Sequence, residues 1–179
     1  MGCQDAVWWS RLAQPNLHTW TDDQPLPLVQ NEPDRHAPEP KAVACSGLLR
    51  AATQGMLLRF VAGRPVSAVT TPFLAWLTAC LAAEGKTALL LVWDNASWHV
   101  RQAVRAWLKA HNRHVKQAGG CRVVVCPLPV KSPWLNRIEP KWVHGKRAIA
   151  KPDRKLSVAE LKQRICAYYD CELFESIAQ

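Results

Sequence analysis

The sequence predicts an α/β fold, in which helices cover both faces of a mixed sheet. Strand-like segments come first along the chain and then alternate with helical ones, an order typical of sheets flanked by helices. The apolar run at residues 87–93 is unbroken, as in strands covered on both sides. The length of 179 residues and the apolar fraction of 49% fit a single domain, residues 1–179, with a sizeable core.

The first three strands are predicted from apolar segments in the N-terminal part. Val7-Trp8-Trp9 extends a strand that begins at the terminus, and residues 43–51 and 56–61 form a hairpin around Thr53-Gln54-Gly55. Residues 21–41 contain five prolines and most of the acids of the N-terminal half. This composition predicts a surface loop.

Helices and two more strands follow. Helical spacing begins near Ser67 or at Thr71-Pro72 and ends before Gly85. Residues 87–93 and 122–126 are predicted strands, and an amphipathic helix lies between them. The buried stripe of this helix is predicted to contain Val100, Ala103, Val104, Trp107, Leu108, His111 and Val115.

The last two helices are placed by their first turns. A helix opens around residues 136–140, and because proline is tolerated only in a first turn, Pro140 puts Glu139 at or just before that turn. The final helix spans residues 156–169, with Ser157 as N-cap and Glu160 three residues later, a capping-box pattern.

Positive charge is concentrated in residues 101–151, which hold twelve Lys or Arg and one acid, Glu139. That window carries +11, so the rest of the chain carries −2 of the total of +9. A local basic face favours a nucleic-acid partner over mere solubility, although a solvated basic surface stays open as an alternative. Arg101, Arg105, Lys109 and Arg113 recur every four residues, where they repel one another unless phosphates or solvent screen them.

Seven cysteines are present, an odd number without any Cys-x-x-Cys pair, and their spacings do not fit a zinc site. Most of them are expected to be buried thiols of a protein in a reducing cytoplasm. No secretory leader and no apolar run long enough to span a bilayer is recognised, so a membrane partner is not expected.

Three acids lie in or beside the predicted strands and helices. Asp94 follows the apolar strand directly, Glu139 opens a helix, and Asp5 lies in the candidate first strand. Side chains at strand ends form the sites of open α/β sheets, and three carboxylates suit two Mg²⁺ ions for phosphoryl transfer. By spacing alone, Asp94 is better explained as a turn former than as a metal ligand, and the helix dipole is an alternative explanation for Glu139.

The segments Asp94-Asn-Ala-Ser-Trp-His99 and Ser132-Pro-Trp-Leu-Asn-Arg-Ile-Glu139 resemble the second and third acid motifs of DDE transposases. The resemblance is to the mariner-like superfamily, and within it to the bacterial six-thirty insertion-sequence group. It implies a ribonuclease-H-like fold and a catalytic triad of Asp5, Asp94 and Glu139 that binds two Mg²⁺ or Mn²⁺ ions. It further implies nicking at transposon ends and strand transfer into target DNA.

The resemblance also assigns the surrounding residues. Asn95 and His99 are expected to support Asp94 or to position phosphate. DNA is the expected partner, a homodimer is left open, and the bacterial cytoplasm, at the nucleoid, is the expected location. The residues expected to hold the DNA backbone without reading its sequence are Arg101, Arg105, Lys109, Lys131, Arg137 and Lys141.

The sequence departs from the family pattern at three points. Ala6 stands where a second acid is common, and Arg137 replaces a proline before Ile-Glu. Only four residues precede Asp5, so the N-terminal helix-turn-helix region of the family is expected to be absent. The missing region and a shortened first strand support an alternative function: a truncated, catalytically inactive remnant that retains only weak non-specific DNA binding.

Overall fold

The computed structural model describes residues 1–11, 38–63, 67–97, 99–130, 132–149 and 155–178. Most of the predicted loop 21–41, and Lys131 among the predicted DNA contacts, lie outside these ranges. The strands are β1 (Gly2–Ser10), β2 (Ala42–Arg50), β3 (Met56–Val61), β4 (Ala88–Trp93) and β5 (Arg122–Pro127). The helices are α1 (Ser67–Ala83), α2 (Gln102–Ala118), α3 (Glu139–Ile149) and α4 (Val158–Tyr169), with a 3₁₀ turn at Pro133–Leu135.

The five strands form one mixed sheet in the order β3-β2-β1-β4-β5. β1, β2 and β3 pair antiparallel, while β4 runs parallel to both β1 and β5. The hairpin between β2 and β3 turns through Gln54, which adopts a positive φ of 58°. The predicted turn and the mixed sheet are therefore confirmed.

Helices lie on both faces of this sheet, as predicted. On one face, α3 and α4 pack against β1, β2 and β3, and this core contains Trp9, Phe60 and Trp142. On the other face, α1 and α2 pack against the sheet around Phe73 and Leu91. The alternation of strand side chains between two faces accounts for the two separate clusters.

The prediction that β4 is covered on both faces is wrong in part, and the neighbouring β5 is partly exposed as well. Leu90 is 37% exposed and Val124 is 45% exposed. The cluster under α3 and α4 is built mainly on β1, β2 and β3, so the corresponding face of β4 and β5 has little cover. An apolar run alone does not show how far the covering helices extend.

The amphipathic helix α2 begins at Gln102, two residues after Val100, the first residue of its predicted buried stripe. Val104 and Val115 are buried as predicted, but Val100 and Ala103 are exposed, and Val100 lies before the first turn. The other residues of the stripe, Trp107, Leu108 and His111, are half-buried.

Both edge strands hydrogen-bond to groups outside the sheet: β5 to the Asn112 side chain, and β3 to the C-terminal segment. On the β5 edge, the Asn112 amide donates to the Val123 carbonyl and accepts from the Val123 N–H, both at 2.8 Å. On the β3 edge, Ile177 donates its N–H to the Phe60 carbonyl at 2.8 Å, and its carbonyl accepts from Ala62 at 2.9 Å. The C-terminal segment thereby pairs with β3.

The last helix is capped at both ends. Ser157 Oγ accepts a hydrogen bond from the Glu160 N–H at 3.1 Å, which confirms the predicted N-cap.

All seven cysteines are free thiols, and Cys3, Cys45, Cys121 and Cys166 are buried. Within the ranges given above, none of the helices combines the length and the apolar character that crossing a lipid bilayer requires.

Candidate active site

Asp5 lies on the face of β1 that packs against α3 and α4. Its neighbours two residues away along the strand, Cys3 and Val7, belong to the core on that face, and side chains alternate along a strand. The Asp5 side chain is almost fully buried, at 8% exposure. The Trp142 indole N–H from α3 donates a hydrogen bond to Asp5 Oδ2 at 3.0 Å. A carboxylate is thus held inside an otherwise apolar core.

The parallel pairing of β1 with β4 brings Asp94 towards Asp5. Cys3 pairs with Val92 at the end of the hydrogen-bonded register. Continuing this register by two residues aligns Asp5 with Asp94, which follows the last residue of β4. Val92 packs against the core under α3 and α4, and Asp94 has the same strand parity. Both carboxyl groups therefore project towards the same side of the sheet.

Asp94 is held by the turn that follows β4. Its Oδ1 accepts hydrogen bonds from the Ala96 N–H and from His99 Nδ1, each at 3.0 Å. The His99 ring stacks on Trp93 at a centroid distance of 4.5 Å, which fixes its orientation. The hydrogen bond from His99, and secondarily that from Ala96, lowers the pKa of Asp94 against the opposing effect of burial. Asp94 is therefore ionised at neutral pH.

The Asn95 side chain bonds to the loop after β5, whereas the side chain of its neighbour Asp94 bonds to Ala96 and His99. Its side-chain amide donates to the carbonyl of Leu128, just beyond β5. It therefore ties the loop that carries Asp94 to the loop after β5. Its predicted role in supporting Asp94 or positioning phosphate stays a prediction, as does that of His99.

Glu139 is the first residue of α3, within the turn that Pro140 predicts. The preceding loop is anchored to β1 because the buried side chain of Asn136 donates to the Gln4 carbonyl at 3.1 Å. The Asn136 carbonyl in turn accepts the Glu139 N–H at 3.0 Å. Partial burial raises the pKa of Glu139, the negative charge of Asp94 raises it further, and Lys146 opposes the shift.

The three acids act on one another electrostatically. Burial raises the pKa of Asp5 to about 7, and the negative charges of Glu139 and then Asp94 add to this effect. Hydrogen bonds from the Ala6 backbone and from Trp142 lower it only in part. Each carboxyl group thus lies within the field of the others, and the three face one region between β1, β4 and α3.

The chemistry of these donors fits hard divalent cations. Three carboxyl groups supply the oxygen ligands that Mg²⁺ and Mn²⁺ prefer. Burial is the main cause of the raised pKa of Asp5, and a cation relieves the charge repulsion that adds to it. Over the parts of the chain with assigned structure, no three His, Cys, Asp or Glu side chains are already close enough together to form a metal centre. Binding would therefore have to draw the carboxylates together.

The predicted DNA contacts differ in exposure. Arg101, Arg105 and Lys109 are exposed on and just before α2, and Arg137 is exposed before α3. Lys141 is half-buried. The four exposed side chains are accessible to a phosphate backbone.

Three further residues of the site were not singled out for this role from the sequence. Trp142 hydrogen-bonds Asp5, Asn136 anchors the loop before Glu139, and Lys146 acts on the Glu139 carboxyl group. Trp142 and Lys146 lie three and seven residues after Glu139, spacings that share one face of a helix. That periodicity could have identified both once Glu139 was chosen.

The chain matches the family described as DDE superfamily endonuclease over residues 47–162, and it belongs to that family. The matched region includes Asp94 and Glu139, while Asp5 lies before it. Comparison with curated protein sequences gives no match.

Solved structures show the same fold. The Mos1 transposase paired-end complex with left transposon end superposes with a TM-score of 0.70 at 16% identity, covering 96% of this chain and 48% of that one. The Mos1 mariner paired-end complex with Mn gives 0.70 at 17% identity, with coverages of 96% and 48%. The catalytic domain of Mos1 mariner transposase gives 0.60 at 14% identity, with coverages of 96% and 70%. The fold is therefore ribonuclease-H-like, and the chain spans about half the length of the full transposases.

Proposed function

We propose that this chain is the catalytic domain of a mariner-like DDE transposase that nicks DNA and joins the cut strand to a target. The observation that carries the proposal is the electrostatic interaction among Asp5, Asp94 and Glu139. These acids come from β1, the end of β4 and the start of α3. Membership of the endonuclease family supports the reaction class. The names of the similar structures supply transposon ends and Mn as the corresponding partners.

The chain's own residues have distinct tasks in this reaction. Asp94 is kept ionised and oriented by His99, so it is ready to bind a cation at neutral pH. Asp5 is held by Trp142 and loses its proton when a cation offsets the neighbouring charges. Glu139 completes the donor set from α3. Two bound Mg²⁺ or Mn²⁺ ions would supply activation of the attacking oxygen and stabilisation of the leaving one.

The basic surface positions the substrate. Arg101, Arg105 and Lys109 at and near the start of α2 are exposed, and α2 follows the loop that contains Asp94 and His99. Contacts from these side chains to phosphates give affinity without sequence specificity. Arg137 and Lys141 are proposed to extend this contact near Glu139, and Lys131, outside the described residues, is proposed as a further phosphate contact.

The proposal is tested by nicking of supercoiled plasmid DNA with Mg²⁺ or Mn²⁺. We expect nicking by the unmodified chain and loss of nicking in Asp94→Asn, which keeps the side-chain shape but removes the charge. Asp170→Asn is the matched control, because Asp170 adopts a left-handed conformation at the end of α4 that asparagine also tolerates. Equal nicking by Asp94→Asn and Asp170→Asn would contradict the proposal.

The alternative is a chain that binds DNA without cleaving it. It stays open because the three acids, although they act on one another, do not form a metal centre among the residues with assigned structure. Under this alternative, salt-dependent DNA binding survives while nicking is absent with either metal ion. The same plasmid assay, combined with a binding measurement, separates the two functions.

Finer assignments rest on the two acid motifs. We propose the bacterial six-thirty insertion-sequence group, one catalytic domain over residues 1–179, and action at the nucleoid in the cytoplasm. A homodimer on paired ends is proposed as well. Sedimentation of the chain with and without transposon-end DNA tests this assembly, and a single copy per DNA end pair would contradict it.

A further inference from the structure

Two cysteines meet at the C-terminal end of α4. The helix ends in a left-handed residue, Asp170, with φ of 50°. The Asp170 N–H donates to the Ala167 carbonyl, and the Cys171 N–H donates to the Cys166 carbonyl at 3.0 Å. This pair of bonds is the Schellman motif, which brings the residue three before the helix end into contact with the residue just after the left-handed one.

In this chain, both contacting positions are cysteine. Cys166 is buried and Cys171 is partly exposed, and both pack in the core under α3 and α4. Cys166 Sγ lies 3.8 Å from the carbonyl oxygen of Glu172, so its sulphur faces the segment that contains Cys171. A disulfide requires such close backbone approach, and the motif provides it.

We propose that Cys166 and Cys171 form an oxidisable dithiol that closes to a disulfide across the end of α4 when the protein meets hydrogen peroxide. The Cys166 thiolate attacks one peroxide oxygen, giving a sulfenic acid and hydroxide. The Cys171 sulphur then attacks the Cys166 sulphur and displaces the hydroxyl group, which leaves as water with the thiol proton. Two thiols thereby lose two electrons and two protons, and one peroxide becomes two waters.

The local chemistry favours Cys166 as the group that reacts first. A hydrogen bond from the Cys171 thiol lowers the pKa of Cys166, and Lys162 one turn earlier adds to this effect against burial. The same hydrogen bond raises the pKa of Cys171, and burial raises it further. A thiolate with an adjacent protonated thiol is the arrangement of an attacking and a resolving cysteine.

A third thiol, Cys45 of β2, lies near this pair without sharing its geometry. It is fully buried, and burial places its pKa far above the usual range. Cys45 is therefore held as a neutral thiol that is slow to react. The proposal assigns the disulfide to Cys166 and Cys171 and leaves Cys45 reduced.

The disulfide would fix a junction that two other contacts depend on. Tyr169, between the two cysteines, donates its hydroxyl to the Lys141 carbonyl of α3 at 2.7 Å. Cys171 begins the segment that ends with Ile177 on the β3 edge. Oxidation would therefore hold both the α3–α4 contact and the start of the C-terminal segment.

The test is peroxide treatment of the whole chain, followed by alkylation, trypsin digestion and mass spectrometry. Trypsin releases residues 165–179 as one peptide whose only cysteines are Cys166 and Cys171. We expect this peptide to lose two hydrogens and become resistant to alkylation about tenfold faster than the peptide of residues 123–131, which carries partly buried Cys126. A thiol reductant should restore alkylation.

Two variants make the result decisive. Cys171→Ser should leave Cys166 to overoxidise or to form mixed disulfides, whereas Cys126→Ser should leave the internal disulfide unchanged. The proposal is overturned if the peptide of residues 165–179 oxidises no faster than that of Cys126. It is equally overturned if peroxide treatment of the unmodified sequence links Cys166 to Cys45.

Discussion

Trp142 donates its indole N–H to the carboxylate of Asp5 at 3.0 Å, joining the third helix to the first strand inside the core. The Trp142 side chain is only 2% exposed and packs edge-on against Trp9 and Tyr169. One aromatic residue thus fills the core and also orients an acid of the candidate site. Stability and site geometry are coupled at this contact.

Replacing Trp142 with phenylalanine should destabilise the fold and raise the pKa of Asp5 further. The change removes the hydrogen bond to a buried carboxylate and leaves a gap where the larger ring was, a loss of about 2–4 kcal/mol. Urea unfolding followed by circular dichroism measures it. Trp134→Phe is the control because Trp134 is 73% exposed, and an equal effect of the two changes would contradict the assigned contact.

The stability of the metal-free protein should fall as pH rises from about 4 to about 7. Folding raises the pKa of Asp5 from 3.8 to about 7, so over this window the folded state keeps a proton that the unfolded state has lost. Since each pKa unit corresponds to about 1.4 kcal/mol, the loss is of the order of 4 kcal/mol. Thermal unfolding across this pH range should show the decline, and Asp5→Asn should remove most of it.

Divalent cations should reverse that decline under the proposed function. At pH 8 Asp5 is ionised and repelled by its neighbours, so Mg²⁺ or Mn²⁺ should raise the melting temperature more than at pH 5. The comparison of melting temperatures with metal ion and with chelator, at both pH values, checks this. Stabilisation that is equal at both pH values, or that persists in Asp94→Asn, would show binding elsewhere.

Removing the His99 side chain should raise the pKa of Asp94 towards its ordinary value. The hydrogen bond from His99 is the main cause of the lowered pKa, and groups that orient a metal ligand typically contribute about 10- to 100-fold in activity. In His99→Ala, nicking should fall by that factor and its acid limb should move to higher pH. His144→Ala, at an exposed position on α3, should leave the profile unchanged.

Neutralising Arg105 and Lys109 should weaken DNA binding and make it less salt-dependent. Each lost phosphate contact lowers the slope of log affinity against log salt by about 1. Binding to duplex DNA measured over a range of salt concentrations gives the slope for the double alanine variant. Lys86→Ala is the comparison, since Lys86 is exposed at the opposite end of β4 from Asp94, and its slope should match that of the unmodified chain.

Much of the fold was predictable because local patterns and tertiary structure agree. The hairpin at Gln54, the N-cap at Ser157 and the placement of Glu139 in a first turn all follow from rules that involve a few neighbouring residues. The exposure of Leu90 and Val124 was not predictable in this way. It depends on where α3 and α4 end relative to the sheet, which is a property of distant segments.

The residues of the candidate site also differ in whether local sequence patterns or distant contacts reveal them. Asp94 and Glu139 stand in motifs, whereas Asp5 has no distinctive neighbours in the sequence. Its position becomes informative only through the pairing of Cys3 with Val92, between strands separated by most of the chain's first half. The bond from Asn136 to the Gln4 carbonyl is likewise a long-range contact that no local pattern indicates.

The bonds of Asn112 to Val123 and of Ile177 to Phe60 and Ala62 leave fewer free backbone groups on the two outer strands. Free groups there would invite another chain to add a strand. At Val123 and Phe60, at least, the backbone groups of the outer strands are already occupied and cannot pair with a strand of another chain.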